Sequence, residues 1–209
     1  MTGIDPAARP PMAKARPILW ILVAIAAAAC LSLAITAKSG GGKRAAPSAG
    51  AGIGGPFTLT GSDGRTVTEK SFAGRPFAIF FGFTRCPEVC PTTLARMAQL
   101  RRDLGKDGMK FDIVFVSVDP GHDRPADIGR YISLFRTPVH GLTGTASQLA
   151  AIQKAYGVYV KKVPLEGGDY TVDHSAAVYL MDRDGRFVTT IDYHEGDKVA
   201  LEKLRRIVA

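Results

Sequence analysis

The segment FAIFFGFTRCPEVCPTTLARMAQLRRDL, residues 77–104, decides the fold class of this chain. Residues 77–83 form an unbroken apolar run, which is typical of a strand that is covered on both faces. Residues 91–104 then place apolar side chains at helical spacing. A doubly covered strand that leads into an amphipathic helix predicts an α/β protein.

The segments on either side of residues 77–104 extend this pattern. Before them, 57–59 and 66–68 are predicted to form a hairpin. After them, the predicted elements are a second buried strand at 111–118, helices at 125–135 and 147–156, a hairpin from 175–181 and 187–193, and a helix at 197–208. We therefore predict an α/β fold of thioredoxin-like arrangement, in which helices flank a mixed sheet with an N-terminal hairpin.

Residues 18–37, ILWILVAIAAAACLSLAITA, carry no charge. At about 1.5 Å per residue, a helix of this length spans roughly 30 Å, the thickness of a bilayer core. We predict a single transmembrane anchor at 18–37, a cytoplasmic tail at 1–17, a flexible linker at 38–54 and the globular domain at 55–209. A cleaved signal peptide and a lipoprotein signal with lipidation at Cys30 stay open as alternatives. All three interpretations export the globular domain.

The formal net charge of +8 belongs mostly to the N-terminal part of the chain. Residues 1–54 hold six Lys or Arg residues and one acidic residue, a net +5. Residues 55–209 hold 21 basic and 18 acidic residues, a net +3. The excess charge therefore flanks the apolar segment, and no basic stripe with interleaved aromatic residues follows it. This distribution argues against nucleic-acid binding.

Two cysteines, Cys86 and Cys90, follow the first buried strand. Ligands of α/β sheets collect at such carboxyl ends of strands. Pro91 suits the first position of a helix, so Cys90 is predicted to cap it, and the helix dipole then lowers the thiol pKa. The pair can bind a metal ion, react as a dithiol or form a structural disulfide. A domain of about 150 residues has little need of a stabilising disulfide, which favours the first two roles.

His174 is the candidate third ligand, because it alone among the histidines directly precedes a predicted core strand. An ordinary hydrogen-bonded surface histidine stays open as the alternative. With Cys86 and Cys90 it would form a set of two sulfurs and one nitrogen, which suits Cu(I) and Cu(II). Structural zinc is the chemical rival, but it prefers four protein ligands. The remaining histidines, at positions 122, 140 and 194, are predicted to be solvated, and an interaction of His122 with the site stays open as an alternative.

Five motifs in residues 55–209 resemble the Sco/SenC family. They are Gly55-Pro-Phe-Thr-Leu59, Phe81-Gly-Phe-Thr-Arg-Cys86-Pro-Glu-Val-Cys90-Pro-Thr-Thr-Leu94, Val116-Ser-Val-Asp-Pro120, Gly141-Leu-Thr-Gly144 and Asp173-His-Ser-Ala-Ala-Val-Tyr-Leu-Met-Asp182. The cysteine motif and the Asp-His-Ser motif occur together, which makes the resemblance specific. It implies a thioredoxin fold on a single N-terminal anchor in the inner membrane, facing the periplasm or the mitochondrial intermembrane space.

The resemblance also implies a metal site and a partner. Family members bind Cu(I) and Cu(II) through residues that match Cys86, Cys90 and His174 here. Asp119 matches a recurring acidic position near the site, and Asp173 precedes the histidine, so both are predicted to lie just outside the ligands. The implied task is assembly of cytochrome c oxidase, by delivering copper to subunit II or by reducing its copper-site cysteines. An upstream copper chaperone is a further candidate partner.

The chain departs from the family pattern at two places. Members usually carry His where this chain has Arg85, and Arg-Asp-Thr-Pro where it has His122-Asp123-Arg124-Pro125. The fixed charge of Arg85 beside the thiols should favour thiolate and disfavour a bound cation. We therefore expect Arg85 to alter metal affinity or partner choice.

Two functions of different classes follow from these residues. The first is a copper chaperone, which binds and transfers the metal without catalytic turnover and needs all three ligands. The second is an enzyme, a thiol–disulfide reductase, which needs Cys86 and Cys90 but not His174. The three-residue spacer between the cysteines differs from the two-residue spacer of thioredoxin, which favours the chaperone. A peroxidase has no further catalytic group to support it.

Overall fold

The computed structural model describes residues 52–209, which contain nine strands and four α-helices. The strands are β1 (Thr58–Gly61), β2 (Thr66–Thr68), β3 (Phe77–Gly82), β4 (Asp112–Ser117), β5 (His140–Thr143), β6 (Val160–Pro164), β7 (Tyr170–His174), β8 (Val178–Met181) and β9 (Phe187–Ile191). The α-helices are α1 (Val89–Asp103), α2 (Pro125–Ser133), α3 (Ala146–Tyr156) and α4 (Asp197–Val208). Short 3-10 helices lie at Glu69–Phe72, Gly105–Lys110 and Glu166–Gly168.

Seven strands form one sheet in the order β2-β1-β5-β4-β3-β8-β9, and β6 pairs with β7 in a separate hairpin. The central strands β3, β4 and β5 run parallel to one another. The flanking strands pair antiparallel: β1 with β5 and β2, and β8 with β3 and β9. The prediction of an α/β fold with a mixed sheet and an N-terminal hairpin is confirmed.

The core is centred on β3 and β4. Every residue of β3 is buried, and so is every residue of β4 except Asp112. Phe80 and Phe115 lie opposite each other in the parallel register of these strands. Helices α1 and α4 pack against each other, while α2 packs on β5 and α3 on β1. The apolar runs at 77–83 and 111–118 thus form the covered strands that the sequence predicts.

Three strands are not predicted by the sequence: β5, β6 and β7. β5 has only four residues, and β6 and β7 are mostly exposed or half-buried. A strand is recognised in sequence by alternating or continuous apolar residues, and exposed lysines such as Lys161 and Lys162 interrupt that signal. The predicted strand at 175–181 is also shorter in the structure, because β8 begins at Val178.

The predicted tail, anchor and linker at 1–17, 18–37 and 38–54, and the lipidation site at Cys30, lie outside residues 52–209. Within 52–209, each helix is too short or too polar to cross a bilayer.

Candidate metal centre

Cys86 lies in the loop between β3 and α1, and Cys90 lies in the first turn of α1. The Cys90 side chain is fully buried, whereas Cys86 is partly exposed, and both are free thiols in this structure. The backbone N–H of Cys90 donates to the Cys86 sulfur at 3.4 Å. The loop therefore presents one sulfur toward solvent and places the other inside the domain.

Helix α1 begins at Val89, and Glu88 occupies its N-cap position without a capping hydrogen bond from its side chain. The prediction that Cys90 caps this helix is therefore wrong, because Cys90 and Pro91 both lie within its first turn. Proline is tolerated there, since the N–H groups of a first turn have no partner within the helix. The Cys86 sulfur accepts one of these N–H groups, so the helix N-terminus still stabilises a thiolate.

The last residue of β3 is Gly82, and its lack of a side chain makes room for Cys90. A Cβ atom on Gly82 would lie 2.7 Å from the Cys90 sulfur and 2.9 Å from the Phe115 ring. Because the core is close-packed, a larger residue would have to displace the sulfur. Gly82 is not among the site residues predicted from the sequence, although a glycine inside an apolar central strand is the usual sign of such a close approach.

The imidazole of His174 is fixed by one hydrogen bond and two aromatic rings. Its Nδ1 lies 2.9 Å from the carbonyl oxygen of Ser175. Because a carbonyl oxygen can only accept, Nδ1 carries the proton and Nε2 keeps its lone pair. Phe80 and Phe83 contact the imidazole edge to face, with ring centroids 6.1 and 5.8 Å away. The lone pair of Nε2 is thereby held 3.5 Å from the Cys90 sulfur.

The sulfurs of Cys86 and Cys90 and a ring nitrogen of His174 all lie within 4.8 Å of one another. Three ligands that hold an ion in a plane at about 2.3 Å are separated from one another by about 4 Å. A small inward movement therefore closes the three around a metal. Two thiolates and an imidazole suit soft metals, copper among them. The structure thus brings together the three predicted ligands, and they could hold a metal.

The two thiols differ sharply in acidity. A hydrogen bond from the Cys90 thiol is the main cause that lowers the pKa of Cys86 to about 4, and backbone N–H groups add to it, against the opposing effect of burial. The pKa of Cys90 is raised well above its usual range, because its S–H group donates to Cys86 and because it is buried. At neutral pH the metal-free pair therefore consists of a Cys86 thiolate and a Cys90 thiol, coupled through one proton.

We expect the Cys86 thiolate to persist in weakly acidic solution. Iodoacetamide reacts with thiolate, so alkylation of Cys86 should be nearly constant down to about pH 5 and fall as the pH drops through about 4. Cys90→Ala removes the hydrogen-bond donor, and its profile should fall much nearer the ordinary thiol pKa of about 8.5. Mass spectrometry of the Cys86 peptide in a Cys30→Ser background provides the measurement. A wild-type profile that follows an ordinary thiol would contradict this assignment.

Asp119, which is predicted to lie near the ligands, is fully buried after β4. Its carboxylate accepts a hydrogen bond from the hydroxyl of Tyr170 and lies 2.9 Å from Nδ1 of His122. Nη2 of Arg85 lies 3.6 Å from the same carboxylate. Because Arg85 directly precedes Cys86, Asp119 is connected to the cysteine loop through the guanidinium. Its role toward a metal stays a prediction.

Asp123 is a second buried carboxylate, and it is not among the site residues predicted from the sequence. It accepts hydrogen bonds from the backbone N–H and the hydroxyl of Thr84, at 2.9 and 2.6 Å. It also accepts from the hydroxyl of Ser117, at 2.6 Å. Thr84 belongs to the loop that carries Cys86, and Ser117 ends β4. Asp123 thus fixes the cysteine loop to the neighbouring strand.

The remaining acid and histidines predicted from the sequence lie in different surroundings. Asp173 is exposed on β7 beside His174, and its role toward a metal stays a prediction. His194 is exposed, and His140 lies exposed at the start of β5. His122 differs from the prediction of a solvated residue, because its ring packs on Tyr170 with centroids 4.9 Å apart.

The five motifs of residues 55–209 lie within a longer match to a known protein family. A model described as SCO1/SenC matches residues 45–209. The chain belongs to the SCO1/SenC family. Among SCO1/SenC relatives, it is 41% identical over 145 residues to "Protein SCO1 homolog 1, mitochondrial" of Arabidopsis thaliana, a match that covers 68% of this chain and 43% of the relative. The chain spans about half the length of the curated relatives it matches.

Solved SCO1/SenC structures share the fold. A copper-bound ScoI of Bradyrhizobium japonicum superposes with a TM-score of 0.69 at 47% identity, covering 74% of this chain and 99% of that one. Yeast Sco1 with copper bound also gives a TM-score of 0.69, at 36% identity, covering 75% and 88%. The predicted family and the thioredoxin-like arrangement of the α/β fold are therefore confirmed.

Proposed function

We propose that this chain is a membrane-anchored copper chaperone that binds one copper ion through Cys86, Cys90 and His174. It delivers the ion to the copper site of cytochrome c oxidase subunit II, and it receives copper from an upstream carrier. Residues 18–37 anchor the chain in the inner membrane. The linker at 38–54 then lets the domain at 55–209 reach its partners on the periplasmic or equivalent side.

The observation that carries this proposal is the convergence of two sulfurs and one unprotonated ring nitrogen within 4.8 Å. A dithiol enzyme needs only the sulfurs, so an imidazole held with its lone pair toward Cys90 has its clearest use as a ligand. Copper-bound structures of two similar family members support copper as the cargo. The donor set agrees with this choice, because thiolates select Cu(I) and imidazole also accommodates Cu(II).

The different surroundings of the three ligands suggest how the ion enters and leaves. The partly exposed Cys86 thiolate makes the first contact with incoming copper, and Cys90 then gives up its proton as it binds. His174 is already in the correct tautomer, so it needs no proton transfer. A three-ligand site keeps a coordination position open, through which a recipient's sulfur can enter before a ligand of this chain leaves.

Anaerobic titration of the reduced full-length protein with Cu(I), against a chromophoric Cu(I) chelator, tests the binding. We expect one tightly bound Cu(I) ion per chain for the wild type and for the control Cys30→Ser, which changes the cysteine outside the motif. Cys86→Ser and Cys90→Ser should each lose this binding. A wild-type protein that fails to compete with the chelator would overturn the proposal.

Transfer is tested by adding the metal-free copper domain of subunit II to the loaded protein. We expect the recipient to gain copper when the copper-loaded wild type is added. Equal copper uptake from the Cys90→Ser variant would show that the site is not the source.

A second candidate function rests on a different observation, the pairing of an accessible Cys86 thiolate with a buried Cys90 thiol. This arrangement is also suited to thiol–disulfide exchange, in which Cys86 attacks a partner's disulfide and Cys90 resolves the mixed disulfide. The chain would then be a reductase that keeps the copper-site cysteines of its partner reduced. The two functions are compatible, because copper binds only to reduced thiols.

A further inference from the structure

The hairpin of β6 and β7 carries His174 but is not part of the seven-stranded sheet. Within residues 52–209, its strands form ladder pairs only with each other, from Val160↔His174 to Pro164↔Tyr170. Backbone hydrogen bonds between strands are the usual means of fixing a strand in position. Because no ladder joins this hairpin to the large sheet, side-chain contacts have a larger part in holding it against the cysteine loop.

Arg85 makes several of these contacts. Its Nη1 donates to the carboxylate of Asp169 at 2.9 Å, and its Nη2 donates to the backbone carbonyl of Tyr170 at 3.1 Å. The guanidinium also lies 5.6 Å from the centroid of the Tyr170 ring, within cation–π range. Arg85 is bonded in sequence to Cys86, and β7 ends in His174. These contacts therefore join the loop that carries one ligand to the strand that carries another.

The loop after β4, which contains Asp119, Gly121 and His122, also contacts Tyr170. The hydroxyl of Tyr170 donates to the buried carboxylate of Asp119. The ring of His122 packs on that of Tyr170, and a Cβ atom on Gly121 would lie only 2.7 Å from the Tyr170 hydroxyl oxygen. The half-buried Tyr170 thus packs against this loop, and the hairpin cannot move away without breaking these contacts.

Arg85 and His122 meet directly around Asp119. Nη2 of Arg85 lies 3.0 Å from Nδ1 of His122, and both groups face the Asp119 carboxylate. A buried carboxylate requires a cation nearby, and the always-charged guanidinium of Arg85 supplies one. Because the two side chains touch, exchanging Arg and His between positions 85 and 122 would keep one guanidinium and one imidazole at this contact.

We propose that Arg85 is a positioning residue of the metal centre. It acts through a hairpin latch, the cluster of Arg85, Asp119, His122, Asp169 and Tyr170, that holds the β6–β7 hairpin and therefore His174 against the two sulfurs. This inference rests on the proposed function, because it concerns the ligands of the same site. When the latch contacts are lost, Cys86 and Cys90 still bind the metal, but His174 lies away from it for a larger fraction of the time. The metal therefore dissociates faster.

Exchange of the two residues tests the latch as a double-mutant cycle. Arg85→His removes the donors to Asp169 and Tyr170, whereas His122→Arg places a second guanidinium beside the first. In each single variant we expect amide hydrogen exchange in β6 and β7 of the metal-free protein to rise about tenfold. Release of Cu(I) to a chelator should accelerate by a similar factor. The double variant restores one guanidinium and one imidazole, so both rates should return to within about twofold of wild type.

Two controls separate positioning from general stability. Arg124→His alters an exposed arginine whose partner is Asp127, and it should change neither rate. Amide exchange in β3 and β4 should also stay unchanged in every variant. The latch is contradicted if amide hydrogen exchange in β6 and β7 is unchanged in the single variants. It is also contradicted if the rates of the double variant are no closer to wild type than those of the single variants. If the wild type binds no copper, the chaperone proposal fails, while hairpin exchange in the metal-free protein still decides the latch.

Discussion

Replacing His174 by alanine is expected to lower copper affinity on the order of a thousandfold, more strongly for Cu(II) than for Cu(I). Changes to groups that only orient a metal ligand typically cost 10–100-fold in affinity, so loss of a ligand should cost more. Cu(II) depends more on imidazole than Cu(I), which two thiolates can hold by themselves. Competition titrations with a chelator of each oxidation state provide the measurement.

The same variant separates the two candidate functions. A dithiol reductase does not use the imidazole, so His174→Ala should reduce a model disulfide as fast as the wild type. His194→Ala is the matched control, because it removes an exposed histidine and should change neither copper binding nor reduction. Unchanged copper affinity in His174→Ala would remove the imidazole from the site and leave the reductase as the better description.

Asp123→Ala is expected to destabilise the domain by about 3 kcal/mol. The change leaves the Thr84 N–H, the Thr84 hydroxyl and the Ser117 hydroxyl without their acceptor. Each unsatisfied buried donor costs about 1–3 kcal/mol, and water that enters the space left by the side chain offsets part of the sum. Urea denaturation of the reduced, metal-free protein measures the change in the free energy of unfolding.

The Asp123 variant should also loosen the cysteine loop, since Thr84 lies two residues before Cys86. Asp103→Ala is the matched control: this exposed carboxylate accepts from Gln99 at the surface, and its loss should alter stability by about 0.5 kcal/mol or less. If the free energy of unfolding is unchanged in both variants, Asp123 does not stabilise the cysteine loop.

The central part of the fold could be predicted because its signals are local. The apolar run that forms β3 and the helical spacing of apolar residues that forms α1 each lie within a short stretch of sequence. Each pattern therefore predicts its element without information from distant residues. The exposed hairpin of β6 and β7 carries no such signal, so it appears only in the structure. Cys90 shows the limit of local reasoning, since the helix begins at Val89, two residues before the proline that was expected to start it.

The residues of the site also fall into two groups: those that the local sequence predicts and those that only the folded chain brings together. Cys86 and Cys90 lie four positions apart at the junction of β3 and α1, so their short separation in sequence keeps their sulfurs close. His174 lies 84 positions beyond Cys90, and only the packed hairpin places its ring beside the sulfurs. Family motifs identify it as a candidate ligand, but its tautomer follows from the contact with Ser175.

Local sequence signals were enough to identify the elements around the central strand, the pair of thiols and the family. The tertiary structure decided which distant groups meet those thiols: His174 at their side, Asp123 behind their loop, and Arg85 against His122 and Asp119. The physical reason is that periodicity and spacing constrain neighbours along one element. Contacts between distant segments depend instead on how the whole core packs and on where each buried polar group finds its partner.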